Sequence, residues 1–249
     1  MKKLSLILAA LLISSATFAQ FMNAGSSTAS SSSSSDNTPW KGLRFSYDRT
    51  NAKMDIEGAD DYDFNGFSIG YVHAFSIAKQ LPLFIETGAG INFAKYSDSW
   101  DESESDSYGT ITYEEKVSTT SLGLTIPVNL VYKLSLNDKW SISPYTGFYL
   151  RANLMAKENW KGELSASGEY ADYIDDIRDD YEYDEDYNLF DEDEVGKDGT
   201  WNRVNFGWQI GANFGYKKFN FGIGYALDFN EIAEKTKCGI FSARLGVNF

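Results

Sequence analysis

Three groups of side chains have the types and spacing to do chemistry. The first is His73, the only histidine, with Ser76 three residues on. A serine hydroxyl attacks when an adjacent base accepts its proton and a third group holds that base. No acid near the pair completes the set, so no catalytic residue is assigned, and a lipid-hydrolysing role is a minor alternative. The second group is Arg44, Asp48, Glu86, Arg151, Asp228 and Arg244. Each lies where Gly, Ser or Asn alternate with apolar residues, which puts all six on the polar side of extended segments. Charges removed from water persist when paired, so the expectation is a salt-bridged core; a proton or ion path along it is the alternative. The third group is acidic: Glu169 to Asp198 holds 15 Asp and Glu against Arg178 and Lys197. Dense carboxylates suit a hard cation such as Ca²⁺, and the candidate ligands are Asp184, Asp186, Asp191 and Asp193. Asp191 to Gly196 departs from an EF-hand loop by placing Val195 where the third ligand belongs. A solvated acidic loop is therefore the main expectation, with Ca²⁺ or a cationic partner as the alternative.

Eight segments with a period of two must position these groups. Leu43, Phe45 and Tyr47 alternate with Arg44, Ser46 and Asp48 in the first. The others run from about Phe64 to Phe75, Leu83 to Lys95, Val117 to Lys133, Trp140 to Leu154, Val204 to Tyr216, Phe219 to Phe229 and Gly239 to Phe249. One side of each is apolar; the other carries glycines, amides and the six charges. The connections alternate long and short: Thr50–Asp63, Ser76–Pro82, Tyr96–Lys116, Ser135–Lys139, Met155–Arg203, Lys217–Lys218 and Asn230–Cys238. That pattern predicts an all-β fold, an eight-stranded antiparallel up-and-down transmembrane β-barrel with long extracellular loops and both mature termini in the periplasm. Eight strands leave an interior just wide enough for side chains to fill, so a packed lumen is expected. Pro127 cannot donate to a ladder and predicts a bulge or local irregularity. Trp40, Tyr132, Trp140, Tyr216, Phe219 and Phe249 are expected at one interface, with Tyr96, Trp201 and Phe229 at the other. In the long acidic loop, Tyr170, Tyr173, Ile174, Ile177 and Tyr181 recur at helical spacing and predict a short amphipathic helix over the barrel mouth.

The start of the chain accounts for delivery. Lys2 and Lys3, the apolar run Leu4 to Ile13 and small residues up to Ala19 form a secretory signal over residues 1–19. Residues 20–39, with serines from Ser30 to Ser35, read as a flexible periplasmic tether ahead of the barrel at 40–249. A formal charge of −14 argues against nucleic acid as a partner. Cys238 is the only cysteine, so no internal disulfide forms.

The stretch Leu124-Thr125-Ile126-Pro127-Val128-Asn129-Leu130-Val131-Tyr132-Lys133, the run Ile142 to Leu150, Phe206-Gly207-Trp208, Gly215 to Phe219 and the closing Leu245 to Phe249 resemble the PorT-like outer-membrane β-barrel family. The resemblance covers about Leu122 to Phe249. It implies an eight-stranded barrel among outer-membrane lipids, inserted by the outer-membrane assembly machinery through its C-terminal strand, and it implies no activity. A structural or surface-interaction role, with a cationic or cell-surface partner at the acidic loops, is the favoured function. Small-solute or ion transport is the alternative, and bulky inward Tyr145, Tyr149 and Arg151 weigh against it.

Overall fold

The computed structural model describes residues 38–56, 58, 61–78 and 81–249. The signal segment and nearly all of the tether lie outside the described residues.

The strands are β1 (Trp40–Met54), β2 (Tyr62–Ser76), β3 (Leu83–Ser105), β4 (Gly109–Tyr132), β5 (Leu134–Ser135), β6 (Trp140–Gly168), β7 (Tyr183–Asn188), β8 (Val204–Tyr216), β9 (Phe219–Asp228) and β10 (Thr236–Asn248). Helices α1 (Asp175–Tyr181) and α2 (Glu192–Gly199) lie between β6 and β8. The order β4-β3-β2-β1-β10-β9-β8-β6 closes on itself through β4–β6, which gives an antiparallel ring of eight strands. β1 pairs with β10 from Gly42↔Asn248 to Met54↔Thr236, so the first and last strands seal the ring.

The period of two is what makes a ring of this kind. Its outward positions are aliphatic and aromatic: Ile69 is 58% exposed, Phe148 62% and Ile223 54%. A continuous apolar band of this size has no stable place in water and fits hydrocarbon. The inward positions are small or polar, and close approach explains the glycines there. A Cβ on Gly211 would stand 2.4 Å from the Tyr145 hydroxyl, so glycine makes room for that ring inside the barrel.

Two apolar clusters stand toward the ends of the interior, and the first of them closes it. At the end with short turns, Ala74, Phe84, Val131 and Tyr145 are buried, with Trp40 packed against them. At the end with long connections, Ala52, Phe64, Ile232 and Cys238 cluster with Ala94, Tyr96 and Trp201. The lumen is not filled, contrary to expectation. A cavity of about 920 Å³ runs past Arg44, Glu86 and Arg244 to Trp160 and Tyr183, because the inward set is dominated by Gly, Ser, Ala and Asn.

The sequence also underestimates three strands. β3, β4 and β6 continue well beyond the ring, so most of 96–116 and the segment 155–168 are paired strand. β7 adds to β6 from Lys157↔Asn188 to Gly162↔Tyr183. Pro127 interrupts pairing with β3 between Thr87↔Val128 and Gly90↔Thr125, while the register shift in β4–β6 falls at Leu122/Gly123. Trp40, Tyr96 and Trp201 point inward instead of into an interface, whereas Trp140, Phe219, Phe229 and Phe249 are exposed on the outside. Helix α1 forms, but Tyr173 and Tyr181 are 68% and 53% exposed and only Ile174 is buried; the Ile177 side chain lies outside the described residues. Helix α1 meets β6 at the tip of the extension. Leu189, Val195 and Trp201, around α2, are the residues that line the cavity instead.

Candidate functional site

Inside the ring, the six charged residues sort into pairs and singles. Arg44 stands 3.5 Å from Glu86, and Trp40 Nε1 donates to the same carboxylate at 3.1 Å. Arg151 Nη2 donates to Asp228 Oδ2 at 2.6 Å, and the Tyr149 hydroxyl donates to Oδ1. Arg244 and Asp48 form no ion pair with each other. Arg244 donates to the Tyr145 hydroxyl at 2.7 Å and stacks over its ring, while Asp48 accepts from Ser46 and Ser68 at 3.1 and 2.5 Å. One connected salt-bridged core is thus replaced by two separate pairs and two hydroxyl-bound charges. The strand register explains it: Arg244 is opposite Ser46 and Asp48 opposite Ser242, so the two charges sit diagonally across β1–β10.

The second site lies on the extension, where register stacks residues in rows across β3, β4, β6 and β7. One row is Trp100, Glu115, Gly162 and Tyr183; the next is Asp98, Val117, Trp160 and Glu185. A third is Tyr96, Thr119, Glu158 and Tyr187. These rows share the face that continues the lumen. Trp100 and Trp160 meet edge to face at 5.9 Å. Trp160 Nε1 donates to Glu158 at 2.7 Å, and Thr119 Oγ1 donates to its other oxygen at 3.1 Å. The Tyr183 hydroxyl donates to Glu115, and Tyr187 donates to Glu185. The bond to Glu115, then the bond to Tyr113, raises the Tyr183 phenol above its ordinary range. Gly162 lets the Tyr183 ring lie flat there, since a Cβ would stand 2.6 Å from it.

The opposite face has a different composition. Lys116 bridges Glu114 and Glu163 at 3.1 and 3.0 Å, and Lys161 bridges Glu163 at 2.5 Å. These lysines hold the Glu163 carboxyl down to about 2. The lumen-side positions of the extension contain no Lys or Arg among the described residues, so Asp98, Glu102, Glu104, Glu115, Glu158 and Glu185 stand uncompensated beside Trp and Tyr. The sequence reading assigns 96–116 and 155–203 to connections and so does not resolve these residues into one strand face, because acids fall at both parities.

The candidate metal ligands do not converge. Asp184 and Asp186 both accept from Asn159 Nδ2, at 2.7 and 3.1 Å, and Asp191 caps α2 by accepting from the Asp193 N–H at 3.1 Å. Among the described residues no three His, Cys, Asp or Glu side chains form a group that could hold a metal ion. The His73 ring packs on Phe75 with centroids 4.0 Å apart, and Ser76 Oγ donates to the Ala78 carbonyl at 3.2 Å, so this pair is not assembled for proton transfer.

Among solved structures, the chain is similar to Ail, the attachment invasion locus protein of Yersinia pestis: 12% identity over 84% of this chain and 98% of that one, TM-score 0.35. It is also similar to Neisserial surface protein A, at 12% identity over 84% and 97%, TM-score 0.37. An outer membrane channel from Pseudomonas putida F1 aligns at 10% identity over 85% and 96%, TM-score 0.29. No curated protein matches the sequence. The model of one protein family, described as the outer membrane protein beta-barrel domain, matches residues 18–234, which takes in seven of the eight ring strands and ends before β10. The chain therefore belongs to the outer membrane protein beta-barrel domain family, and its place is the cell outer membrane.

Proposed function

We propose that this barrel is a surface-interaction protein whose extension, formed by β3, β4, β6 and β7, meets a cationic partner outside the cell. In this reading the short turns and both mature termini face the periplasm, and the signal over 1–19 delivers the chain to the assembly machinery. The motifs from Leu124 to Lys133 and Leu245 to Phe249 align it with PorT-like members. The single observation carrying the reading is the asymmetry of the extension. On one face Lys116 and Lys161 hold Glu114 and Glu163 in ion pairs, while the lumen-side face sets carboxylates with no lysine or arginine among them beside Trp100, Trp160, Tyr183 and Tyr187. Carboxylates beside aromatic faces attract ammonium and guanidinium groups by charge and by the ring quadrupole. Transport is less well supported, because the cavity stops at Phe84, Val131 and Tyr145, each at most 3% exposed.

The test uses the full chain refolded into vesicles and a lysine-rich fluorescent peptide as probe. Binding should weaken as salt rises from low to physiological concentration, since exposed charge is screened. Asp98→Asn with Glu102→Gln and Glu104→Gln should abolish it; Asp101→Asn with Glu114→Gln should leave it nearly unchanged. Equal loss in both variants would reduce the effect to net charge and refute a specific face.

A further inference from the structure

The extension has an open edge. The β2–β3 ladder stops at Asn65↔Lys95, whereas β3 remains paired with β4 as far as Ser105↔Thr110. The phase of that edge is fixed at the hairpin tip, where the Asp106 N–H donates to the Gly109 carbonyl at 3.0 Å. Residues 104, 102, 100 and 98 therefore turn their backbone groups toward β4. Ser97, Ser99, Asp101, Ser103 and Ser105 turn theirs toward the open side. Two further bonds agree with this phase. The Leu83 carbonyl, also at an odd position, accepts from Ile77 on the β2 side at 3.0 Å, and the Ser99 N–H donates to Asp98 Oδ1 at 2.9 Å. Among the described residues no strand pairs with β3 beyond Lys95 on this side.

Apart from the Ser99 N–H, which Asp98 Oδ1 holds and an arriving strand would have to displace, these outward N–H and C=O groups form a row that is a template for another strand. Here four of the five open positions are serines, too small to obstruct a strand arriving about 4.8 Å away. The alternate positions present Asp98, Trp100, Glu102 and Glu104 on the lumen-side face. A second copy of this chain is a poor occupant. Its own open edges, Ser97–Ser105 and Tyr183–Asn188, carry acids and no Lys or Arg, and like charges directly opposite destabilise a strand pair.

We propose that the Ser97–Ser105 edge of β3 takes an added β-strand from an extended basic segment of a partner protein, with Lys or Arg at every second residue. Resting on the surface-interaction reading above, this adds how the partner binds and what pattern it carries. The basic side chains fall on the Trp100 face, beside Asp98, Glu102 and Glu104, and small residues fall opposite the serines. Backbone pairing supplies the register, and the alternation supplies selectivity.

The test compares two peptides of identical composition on the full chain in lipid nanodiscs, one alternating Lys and Thr along its length and one with all Lys before all Thr. The alternating peptide should bind about tenfold tighter and slow amide exchange at Ser97, Ser99, Asp101, Ser103 and Ser105. Ser103→Pro removes an outward N–H that β4 does not use, so it should erase the tenfold preference while leaving the weaker, salt-sensitive binding. Asp98→Asn with Glu104→Gln, which keeps the edge intact, should weaken both peptides together. Equal binding of the two peptides without amide protection overturns strand addition and leaves the cationic-surface reading standing. Absence of binding by either peptide overturns both.

Discussion

Replacing Asp228 by alanine should cost the barrel a large part of its stability. The Asp228 side chain is fully buried and Arg151 is 7% exposed, and each is the other's ion-pair partner. Asp228→Ala leaves a guanidinium without its anion and the Tyr149 hydroxyl without its acceptor. Removing one member of a buried pair costs about 3–5 kcal/mol, and an orphaned buried hydroxyl adds about 1 kcal/mol. Arg151 also lines the polar cavity, and water there offsets part of the loss, so the expected total is about 4 kcal/mol. Replacing both partners by apolar residues, Arg151→Met with Asp228→Leu, leaves no charge unpaired and should fall within about 1–2 kcal/mol of the wild type. Urea unfolding, followed by tryptophan fluorescence, of vesicle-refolded wild type, Asp228→Ala, and the singles Arg151→Met and Asp228→Leu with their double measures the loss and closes the cycle. If the single variant lost less than about 1 kcal/mol, or the double lost the sum of the singles, the pair would not be the buried, mutually dependent unit described.

Gly162→Ala places a methyl group 2.6 Å from the Tyr183 ring and 2.9 Å from the Tyr113 hydroxyl. It should cost about 1–3 kcal/mol locally and speed hydrogen exchange in β7 while the ring strands keep their protection. Glu163, held down to about 2 from an ordinary 4.5, should remain ionised at pH 3. Because its folded value is depressed, its stabilising contribution is present above about 4.5 and is lost as pH falls toward 2; carboxyl chemical shifts would show a midpoint near 4 if Lys116 and Lys161 were not engaged. In planar bilayers the wild type should show no steady conductance, since Ala74, Phe84, Val131 and Tyr145 close one end of the lumen. Phe84→Ala with Trp40→Ala should raise it, and a conducting wild type would refute the plug.

The ring was legible because lipid on one side and a narrow lumen on the other force a strict period of two. That period alone places Arg44, Asp48, Glu86, Arg151, Asp228 and Arg244 inward. The extension was harder to read because both of its faces are wet. Acids occupy successive positions at Glu114-Glu115 and Asp101-Glu102, so hydropathy shows no alternation although the backbone keeps it. Trp40 was misassigned by residue type, since aromatic residues near strand ends suggest an interface; its parity with Gly42 and Arg44 points inward, as found. Which charges pair depends on diagonal offsets set by register and tilt. Spacing along one strand carries no such information, and so it could not separate the Arg44–Glu86 contact from the unpaired Asp48 and Arg244.

The unbroken run of β6 through the ring and out to Gly168 has a mechanical consequence. Past Ala152, where pairing with β8 ends, β6 continues for roughly 50 Å of strand at the usual rise per residue. A floppy loop of that length would swing freely and lose about 1–2 kcal/mol per residue whenever a contact froze it. Strands continuous with the barrel are frozen already. Tension on the tip would travel along covalent backbone into the ring and load the β4–β6 hydrogen bonds side by side, in shear, so the extension acts as a stiff post anchored by the whole barrel.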